Sequence, residues 1–263
     1  MSKSIAQIKQ EFERAKEQEW EALCMTYESD GRAGVRTLVD RYRRKEELLR
    51  AERQRLENMR SYERKYGEYT YICGIDEAGR GPLAGPVVAG AVILPKDCEI
   101  LYLNDSKKLS AKKREELYAE IMEKAVAVGV GMAGPARIDE INILQATYEA
   151  MRAAVADLGV EPDLLLNDAV TIPELTIQQV PIIKGDAKSV SIAAASIIAK
   201  VTRDRLMAEY DEILPGYGFA QHKGYGSREH IEAIRRFGPS PIHRKSFIGN
   251  IYHDETGAED AEE

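Results

Sequence analysis

The most apolar runs of this chain, Val87–Leu94 and Ile192–Ala199, span only eight residues each. A helix that crosses a bilayer needs about 20 apolar residues, so the sequence predicts no membrane-spanning segment. Val87–Leu94 is nearly continuous in apolar residues, which is typical of a β-strand buried on both faces. The run therefore predicts a buried sheet within this part of the chain.

Segments with strand character alternate with amphipathic segments beyond residue 68. The predicted strands are Tyr69–Ile75, Val87–Leu94, Ala125–Met132, Leu164–Leu166 and Ile177–Ile183. The predicted helices are Ser110–Lys124, Ile138–Leu158, Ser189–Tyr210 and Ser227–Phe237, with Ser110 and Ser227 as N-caps. This mixture along the chain predicts an α/β fold with a mixed sheet flanked by helices.

The first 68 residues are charge-rich and carry apolar side chains at helical spacing, interrupted by turn residues at Glu28–Gly31. We expect a helical N-terminal extension over 1–68 with two antiparallel helices, an α/β domain over 69–253 and a disordered acidic tail over 254–263. Ten basic and five acidic residues lie between Arg32 and Arg60. Both a solvated helix face with ion pairs and an electrostatic contact with nucleic acid fit this excess.

Charge and cysteine content bear on partners and compartment. The formal net charge of −7 by itself argues against a nucleic-acid partner. Six acidic residues of the tail account for most of it, however, and residues 1–253 carry −1. Three scattered cysteines and an N-terminus without an apolar signal segment predict a cytoplasmic protein without disulfides.

Acidic residues follow three of the predicted strands: Asp76 and Glu77, then Asp168, then Asp186. Four carboxylates from neighbouring strands would converge on one edge of the sheet and repel each other strongly. Such a cluster requires cations or protons, and Mg²⁺ or Mn²⁺ suits carboxylate ligands. Taken singly, each acid also fits a helix cap or a turn; together they favour a site for two divalent cations.

The segment after the first acidic pair, residues 78–86, holds three glycines and two prolines and is here called the glycine–proline loop. Glycines let backbone N–H groups approach a ligand closely, and Arg80 lies between two of them. An ordinary turn is the alternative. The spacing differs from the dinucleotide-binding fingerprint and the next element is a strand, which excludes a Rossmann interpretation.

Two further loops carry residues suited to nucleic acid. Asn104–Ser110 contains Lys107 ahead of a predicted helix, where it fits either a phosphate contact or simple capping by its neighbours. In Gln221–Ser227, Tyr225 lies between glycines and fits either stacking on a sugar or base or coverage of the core. The four histidines lack zinc-ligand spacing, and no sequence signature of a serine nucleophile occurs.

Five segments in order resemble the motifs of bacterial ribonuclease HII. These segments are Ile75–Pro86, Asp105–Leu109, Lys184–Ser189, Ala193–Asp204 and His222–Gly226. The resemblance covers roughly residues 69–248. It implies a ribonuclease H-like sheet with a C-terminal helical part, and an endoribonuclease that acts on RNA–DNA hybrids and on ribonucleotides embedded in duplex DNA.

The resemblance also implies roles for single residues. Asp76, Glu77, Asp168 and Asp186 would bind two Mg²⁺ or Mn²⁺ ions for hydrolysis on the 5′ side of a ribonucleotide, leaving a 3′-hydroxyl and a 5′-phosphate. Gly79, Arg80 and Gly81 would sense the ribose 2′-OH, and Tyr225 would pack on the following deoxyribose. Lys107 and Lys188 would contact phosphates, and we expect a monomer.

One residue departs from the expected pattern. Asn167 stands before Asp168 where an apolar strand residue would be more usual, and Asp163 precedes the same strand. We prefer Asp168 as the site acid because Asp163 lies on the other side of the strand.

Two alternative functions remain: an enzyme of the ribonuclease HIII type, although that family lacks the Gly79-Arg80-Gly81 loop, and a non-catalytic nucleic-acid-binding protein. A small-molecule phosphotransferase is disfavoured because no nucleotide-cradling loop is present.

Overall fold

A computed structural model describes residues 3–253, which form two compact units, 3–58 and 59–253. The expected domain boundary at residue 68 lies ten residues further along the chain. The acidic tail expected to be disordered, residues 254–263, lies outside the described residues. Between residues 3 and 253, no helix is both long and apolar enough to cross a membrane.

The first unit consists of helices α1 (Ile5–Arg14), α2 (Trp20–Tyr27) and α3 (Ala33–Met59), the last of which ends at the unit boundary. Two helices were predicted, but the first is interrupted because the chain turns extended at Ala15. A 3-10 turn follows, in which Lys16 N–H donates to the Glu19 carboxylate at 2.7 Å. Phe12 and Trp20 pack against Tyr42 at ring separations of 4.6 and 5.3 Å, which forms an aromatic core in this unit.

The second unit is built on a five-stranded mixed sheet, so the predicted α/β class is correct. The strands are β1 (Ile72–Ala78), β2 (Val87–Ile93), β3 (Ala127–Ala133), β4 (Leu164–Asp168) and β5 (Gln178–Ile182), in the order β3-β2-β1-β4-β5. The β1–β2 and β2–β3 pairs are antiparallel, whereas β4 runs parallel to both β1 and β5. The carboxyl ends of β1, β4 and β5 therefore share one edge.

The helices of this unit are α4 (Ser61–Lys65), α5 (Ala111–Lys124), α6 (Pro135–Asp157), α7 (Val190–Ile213), α8 (Phe219–His222), α9 (Arg228–Phe237) and α10 (Lys245–His253). Ser110 and Ser227 cap α5 and α9, as their sequence positions predicted. Within α6, Asn142 leaves helical geometry at a φ of 68° and its side chain caps the turn that follows. The sequence patterns missed α10 and the short α8.

Helices α6 and α7 cover opposite faces of the sheet. A Cβ at Gly74 of β1 would lie 2.1 Å from the backbone of Ser191 in α7. A Cβ at Gly131 of β3 would lie 2.0 Å from the Ala150 carbonyl oxygen in α6. Strand alternation and the β1–β2–β3 register assign these two glycines to opposite faces. Both helices therefore approach the sheet backbone directly, which brings the start of α7 close to the end of β1.

Candidate active site

Three of the four predicted acids come together at the shared edge of the sheet. Asp76 near the end of β1, Asp168 at the end of β4 and Asp186 each offer a carboxylate oxygen within 4.8 Å of the others. Asp186 lies in a 3-10 turn, Gly185–Ala187, that follows β5 rather than directly at its end. Parallel pairing of β1 with β4 accounts for the first two acids, and the turn between β5 and α7 supplies the third.

Glu77 follows Asp76 within β1, because the strand continues through Ala78 instead of ending before the acids. Side chains alternate along a strand, so the Glu77 side chain leaves β1 on the other side from Asp76, although its charge still raises the pKa of Asp76. It is absent from the group of three, and its carboxylate lies 3.4 Å from a guanidinium nitrogen of Arg80. Burial raises the pKa of Glu77, although the Arg80 charge acts against that rise.

The acids repel each other in surroundings that are poor in water. Asp76 is 7% exposed, and burial, followed by the charges of Glu77 and Asp168, raises its pKa well above the usual range. Asp186 is 8% exposed, and its pKa is raised by burial and then by Asp105 and Asp168. Because both shifts disfavour the ionised state, the arrangement favours binding of a proton or a cation.

Hydrogen bonds fix the directions of these carboxylates. The Glu77 N–H donates to Asp76 Oδ1 at 2.8 Å, and the Ser196 hydroxyl of α7 also bonds to Asp76. The Gly185 N–H donates to Asp168 Oδ1 at 2.7 Å, which ties the Asp186 turn to β4. Hard oxygen donors from three separate elements, fixed at close range, fit a divalent cation of the Mg²⁺ or Mn²⁺ class.

The polar residue before Asp168 is accommodated inside the sheet. Asn167 is fully buried, and its amide donates to Gln179 Oε1 on the neighbouring strand at 2.8 Å. Gln179 in turn bonds both backbone groups of Ile172. Asp163 lies at the other end of β4 and accepts from Thr70 and Tyr71 N–H groups. The length of β4 therefore separates Asp163 from the acidic group to which Asp168 belongs.

The glycine–proline loop leaves β1 directly beyond the acids. Gly79 is buried with a φ of 95°, a conformation that favours glycine, and a Cβ there would lie 2.1 Å from Arg203 Nε. Arg80 and Gly81 are exposed. The Arg80 side chain turns back to the Glu77 carboxylate. A positive charge and exposed backbone therefore lie next to the acidic cluster.

Lys107 is electrostatically coupled to the cluster, and Lys188 lies in the turn that holds Asp186. Partial burial lowers the pKa of Lys107, but the charges of Asp76, Asp105, Asp186 and Asp168 raise it above its usual value. Lys188 is exposed, and its N–H closes the Asp186 turn by donating to the Gly185 carbonyl.

Tyr225 is 46% exposed, with the ammonium group of Lys200 lying 6.0 Å from its ring centroid. Lys200 lies on α7, one turn beyond Ser196, whose hydroxyl contacts Asp76. The Tyr225 ring is thus half open to solvent, although the alternative interpretation expected it to cover the core.

Three histidines that are scattered in the sequence hold the Tyr225 loop. His243 Nδ1 accepts from Ser240 N–H, so its Nε2 carries the proton and donates to His230 Nε2 at 3.0 Å. His230 Nδ1 then donates to the Tyr225 carbonyl at 2.9 Å. His222 stacks on His230 at a ring separation of 4.3 Å. Burial lowers the pKa of His230 and of His243 to about 4, which keeps both rings neutral.

The sequence patterns missed two buried hydroxyls and assigned Asp105 only to capping. The Ser196 and Ser106 hydroxyls are hydrogen-bonded to each other at 2.8 Å, and both side chains are buried. Asp105 caps the turn that holds Lys107, as expected, but its charge also raises the pKa of Asp186. Ser196 is the one polar residue of the run Ile192–Ala199, and this was the available signal.

Comparisons with known proteins cover both units. A family model described as Ribonuclease HII matches residues 73–250, and one described as Ribonuclease HII N-terminal domain matches residues 4–67. Ribonuclease HII of Lachnoclostridium phytofermentans is 64% identical over 251 residues, 95% of this chain and 99% of that protein. Ribonuclease HII of Bacillus subtilis is 51% identical over 246 residues, covering 93% of this chain and 96% of that protein.

Solved structures extend the likeness to the fold. The ribonuclease H2 of Pyrococcus horikoshii aligns with a TM-score of 0.58 and 28% identity over 70% of this chain and 98% of that chain. The ribonuclease HII in the PCNA:RNase HII complex from Archaeoglobus fulgidus aligns with a TM-score of 0.57 and 28% identity, over 69% and 96% of the two chains. The fold, the carboxylate cluster and these similarities agree, and the chain belongs to the ribonuclease HII family of metal-dependent endoribonucleases.

Proposed function

We propose that this endoribonuclease hydrolyses the phosphodiester on the 5′ side of a ribonucleotide, both in RNA–DNA hybrids and in duplex DNA that contains single ribonucleotides. The products would be a 3′-hydroxyl and a 5′-phosphate. The observation that carries the proposal is the convergence of Asp76, Asp168 and Asp186 within 4.8 Å, next to a loop that exposes Arg80 and Gly81.

The acids would hold the cofactor. Asp76, Asp168 and Asp186, joined by Glu77, whose charge raises the pKa of Asp76, would bind two Mg²⁺ or Mn²⁺ ions. Such ions lower the pKa of a bound water to yield the nucleophile and neutralise charge on the leaving oxygen. The chain itself supplies orientation: Ser196 and the Glu77 amide fix one carboxylate, and the Gly185 amide fixes another.

Substrate recognition is proposed for the residues around this cluster. The amides and side chain of Gly79, Arg80 and Gly81 would recognise the 2′-OH, which distinguishes RNA from DNA. The half-exposed ring of Tyr225 would pack against the following deoxyribose. Lys107 and Lys188 would contact phosphates, for which the proximity of Lys107 to the acids gives the better support.

The test is cleavage of three labelled duplexes of one sequence: a continuous RNA–DNA hybrid, a DNA duplex with one ribonucleotide and an all-DNA duplex. We expect cleavage of the first two in Mg²⁺ or Mn²⁺, none after chelation, and an intact all-DNA duplex. Product ends are identified by ligation and phosphatase sensitivity. Cleavage of all-DNA at a similar rate, or activity that survives chelation, would contradict the proposal.

The helical extension is proposed to strengthen binding through charge. Arg36, Arg41 and Arg44 lie exposed along α3. When binding releases counterions from duplex DNA, the logarithm of the association constant falls linearly with the logarithm of the salt concentration. Each phosphate contact that is removed reduces the magnitude of this slope by about 0.9. Replacing these three arginines with Gln in the full chain should reduce the slope by about 2 to 3. Arg228→Gln on α9 serves as the control, and an unchanged slope in the triple variant would make the extension structural.

We propose further that the protein acts as a monomer; the group of three acids needs no residue from a second copy. A cytoplasmic location also stays a prediction. Light scattering at assay concentration, with and without a hybrid substrate, tests the first of these two statements.

A further inference from the structure

Two arginines are buried beneath the glycine–proline loop. Arg203 of α7 and Arg244, which precedes α10, are both 0% exposed. Their guanidinium groups make six hydrogen bonds among the described residues, and each of these goes to a backbone carbonyl rather than to a carboxylate. Burial of an ionised group is costly unless its hydrogen bonds are satisfied, so an arrangement of this kind calls for a reason.

The carbonyls that these arginines bind come almost entirely from one loop. Arg203 donates to Ala84, Pro86 and Lys223, at 2.9 to 3.0 Å. Arg244 donates to Gly79 at 2.5 Å, to Arg80 at 2.8 Å and to Gly85 at 3.0 Å. Five of the six acceptors therefore lie within the glycine–proline loop, between Gly79 and Pro86.

These bonds determine which way the loop's amides face. In a trans peptide the carbonyl and the next residue's N–H lie in one plane and point in opposite directions. Because the Gly79 and Arg80 carbonyls point to Arg244, the N–H groups of Arg80 and Gly81 point away from it. Both of these residues are exposed. Two adjacent donors are thus directed outward beside the acidic cluster.

The backbone around Arg244 is itself fixed to the loop. The Arg244 N–H donates to the Leu83 carbonyl at 2.9 Å, and the Gly85 N–H donates to the Ile242 carbonyl at 2.8 Å. Asp139 accepts from the N–H groups of the two residues after Arg244, at 2.9 and 3.0 Å. The backbone that carries the Arg244 guanidinium is therefore fixed in position relative to the loop carbonyls.

We propose that Arg244, supported by Arg203, is a positioning residue that aims the Arg80 and Gly81 amides at the 2′-OH of the substrate; this rests on the recognition role proposed above. A planar fork with five donors reaches three carbonyls at once. Lysine has one compact ammonium group and cannot span them. Arg244→Lys keeps the positive charge but no longer holds the direction of the loop amides. The variant therefore tests the effect of loop geometry apart from the effect of charge.

The experiment measures discrimination in the cleavage-deficient Asp76→Asn background. Dissociation constants are determined for a duplex with one ribonucleotide and for the all-DNA duplex of the same sequence. We expect Arg244→Lys to reduce the ratio of the two constants about tenfold while the all-DNA constant changes less than about twofold. Met151→Ala, a core change on the α6 side of the sheet, controls for general loosening and should keep the ratio.

A surface variant keeps the test decisive if Arg244→Lys fails to fold. Gly81→Pro removes an amide donor, and Gly81→Ala retains it in a position with open space around Cβ. The proline variant should lose more discrimination than the alanine variant. A parental ratio that survives in Arg244→Lys and Gly81→Pro, or that falls equally in Met151→Ala, overturns the positioning role alone. A parent without any discrimination overturns the recognition role as well.

Discussion

The second unit buries acidic side chains near the end of β1 and two arginines beneath the loop that follows β1. The surroundings of these two charged groups differ. The acidic cluster collects carboxylates at 7% and 8% exposure that raise each other's pKa. The arginines beneath the glycine–proline loop are 0% exposed and donate to six carbonyls. The arginines have their hydrogen bonds satisfied by carbonyls of the chain itself. The pKa of Asp76 and of Asp186 stays raised even though Lys107 lies near the acids.

This contrast separates a structural charge from a functional one. A buried cation surrounded by carbonyl oxygens stabilises the loop it holds, and its loss leaves those oxygens unsatisfied. A buried group of like charges destabilises the fold until something positive binds it. Removing one charge from each group should therefore change stability in opposite directions, which the following predictions test in order of expected size.

The largest effect is expected on catalysis from the acidic group. Asp76→Asn keeps the shape and hydrogen-bond capacity but removes the charge, and cleavage should fall about 10³-fold or more, equivalent to about 4 kcal/mol of transition-state stabilisation. Asp163→Asn at the other end of β4 is the matched control and should retain near-normal turnover. Single-turnover cleavage with either metal measures both. Full activity in Asp76→Asn would remove the cluster from the mechanism.

The second effect is expected on stability from the cationic group. Arg244→Met retains much of the side-chain volume but leaves three loop carbonyls without donors, which should cost about 3–5 kcal/mol. Urea unfolding followed by fluorescence and circular dichroism measures the loss. Arg137→Met provides a control, since that arginine makes ion pairs with Glu140 and Glu149 at the surface. Equal losses in the two variants would deny the loop arginines a special structural role.

The histidine pair tests a third case, a buried ionisable group that stays neutral. The pKa of His230 and His243 is lowered to about 4, below the value of about 6.5 in an unfolded chain. Between these limits the unfolded state binds more protons, so stability should fall as pH falls from 6.5 to 4. The loss is at most about 3 kcal/mol for each ring. His243→Gln should flatten the plot of unfolding free energy against pH, measured by urea unfolding. A plot that runs parallel to that of the parent would reject the explanation.

The smallest effect is a gain in stability from the same Asp76→Asn variant, expected at about 1–3 kcal/mol without divalent metal at pH 7. A raised native pKa means that Asp76 stays protonated to a higher pH in the folded state than in the unfolded state. Its unfavourable contribution to folding stability therefore grows as pH rises and vanishes below about pH 3.9. The gain should therefore disappear at pH 3. Mg²⁺ should raise the melting temperature of the parent more than that of the variant. The reverse order would argue that no cation binds here.

The sequence patterns predicted the parts of the site that follow from strand direction. Asp76 and Asp168 meet because parallel β1 and β4 end at one edge, and an apolar run followed by an acid is visible in the sequence. Glu77 was predicted as the fourth acid of the site; it is not among the three whose oxygens lie within 4.8 Å of one another, but its charge raises the pKa of Asp76. Asp186 joins through a 3-10 turn whose path depends on tertiary contacts.

The buried arginines were beyond the reach of such patterns. Their partners are backbone carbonyls, which every residue has, so no complementary side chain marks the pairing in the sequence. Arg203 resembles any charged residue of a helix, and Arg244 lies before a helix that the patterns missed. The histidine cluster is similar, since His222, His230 and His243 meet only after α8, α9 and the segment before α10 have packed together.

The close approach of α7 to Gly74 sets the dimensions of the whole site. Gly74 lies two residues before Asp76, and Ser191, which it touches, lies five residues after Asp186. Because backbone meets backbone there, no rotamer can absorb an error between the two segments. A single added methyl group at Gly74 would push α7 outward and spread the acids, and displacement by about 1 Å can cost a catalyst about 10²-fold. The spacing of the site acids thus depends on a residue that has no functional group at all.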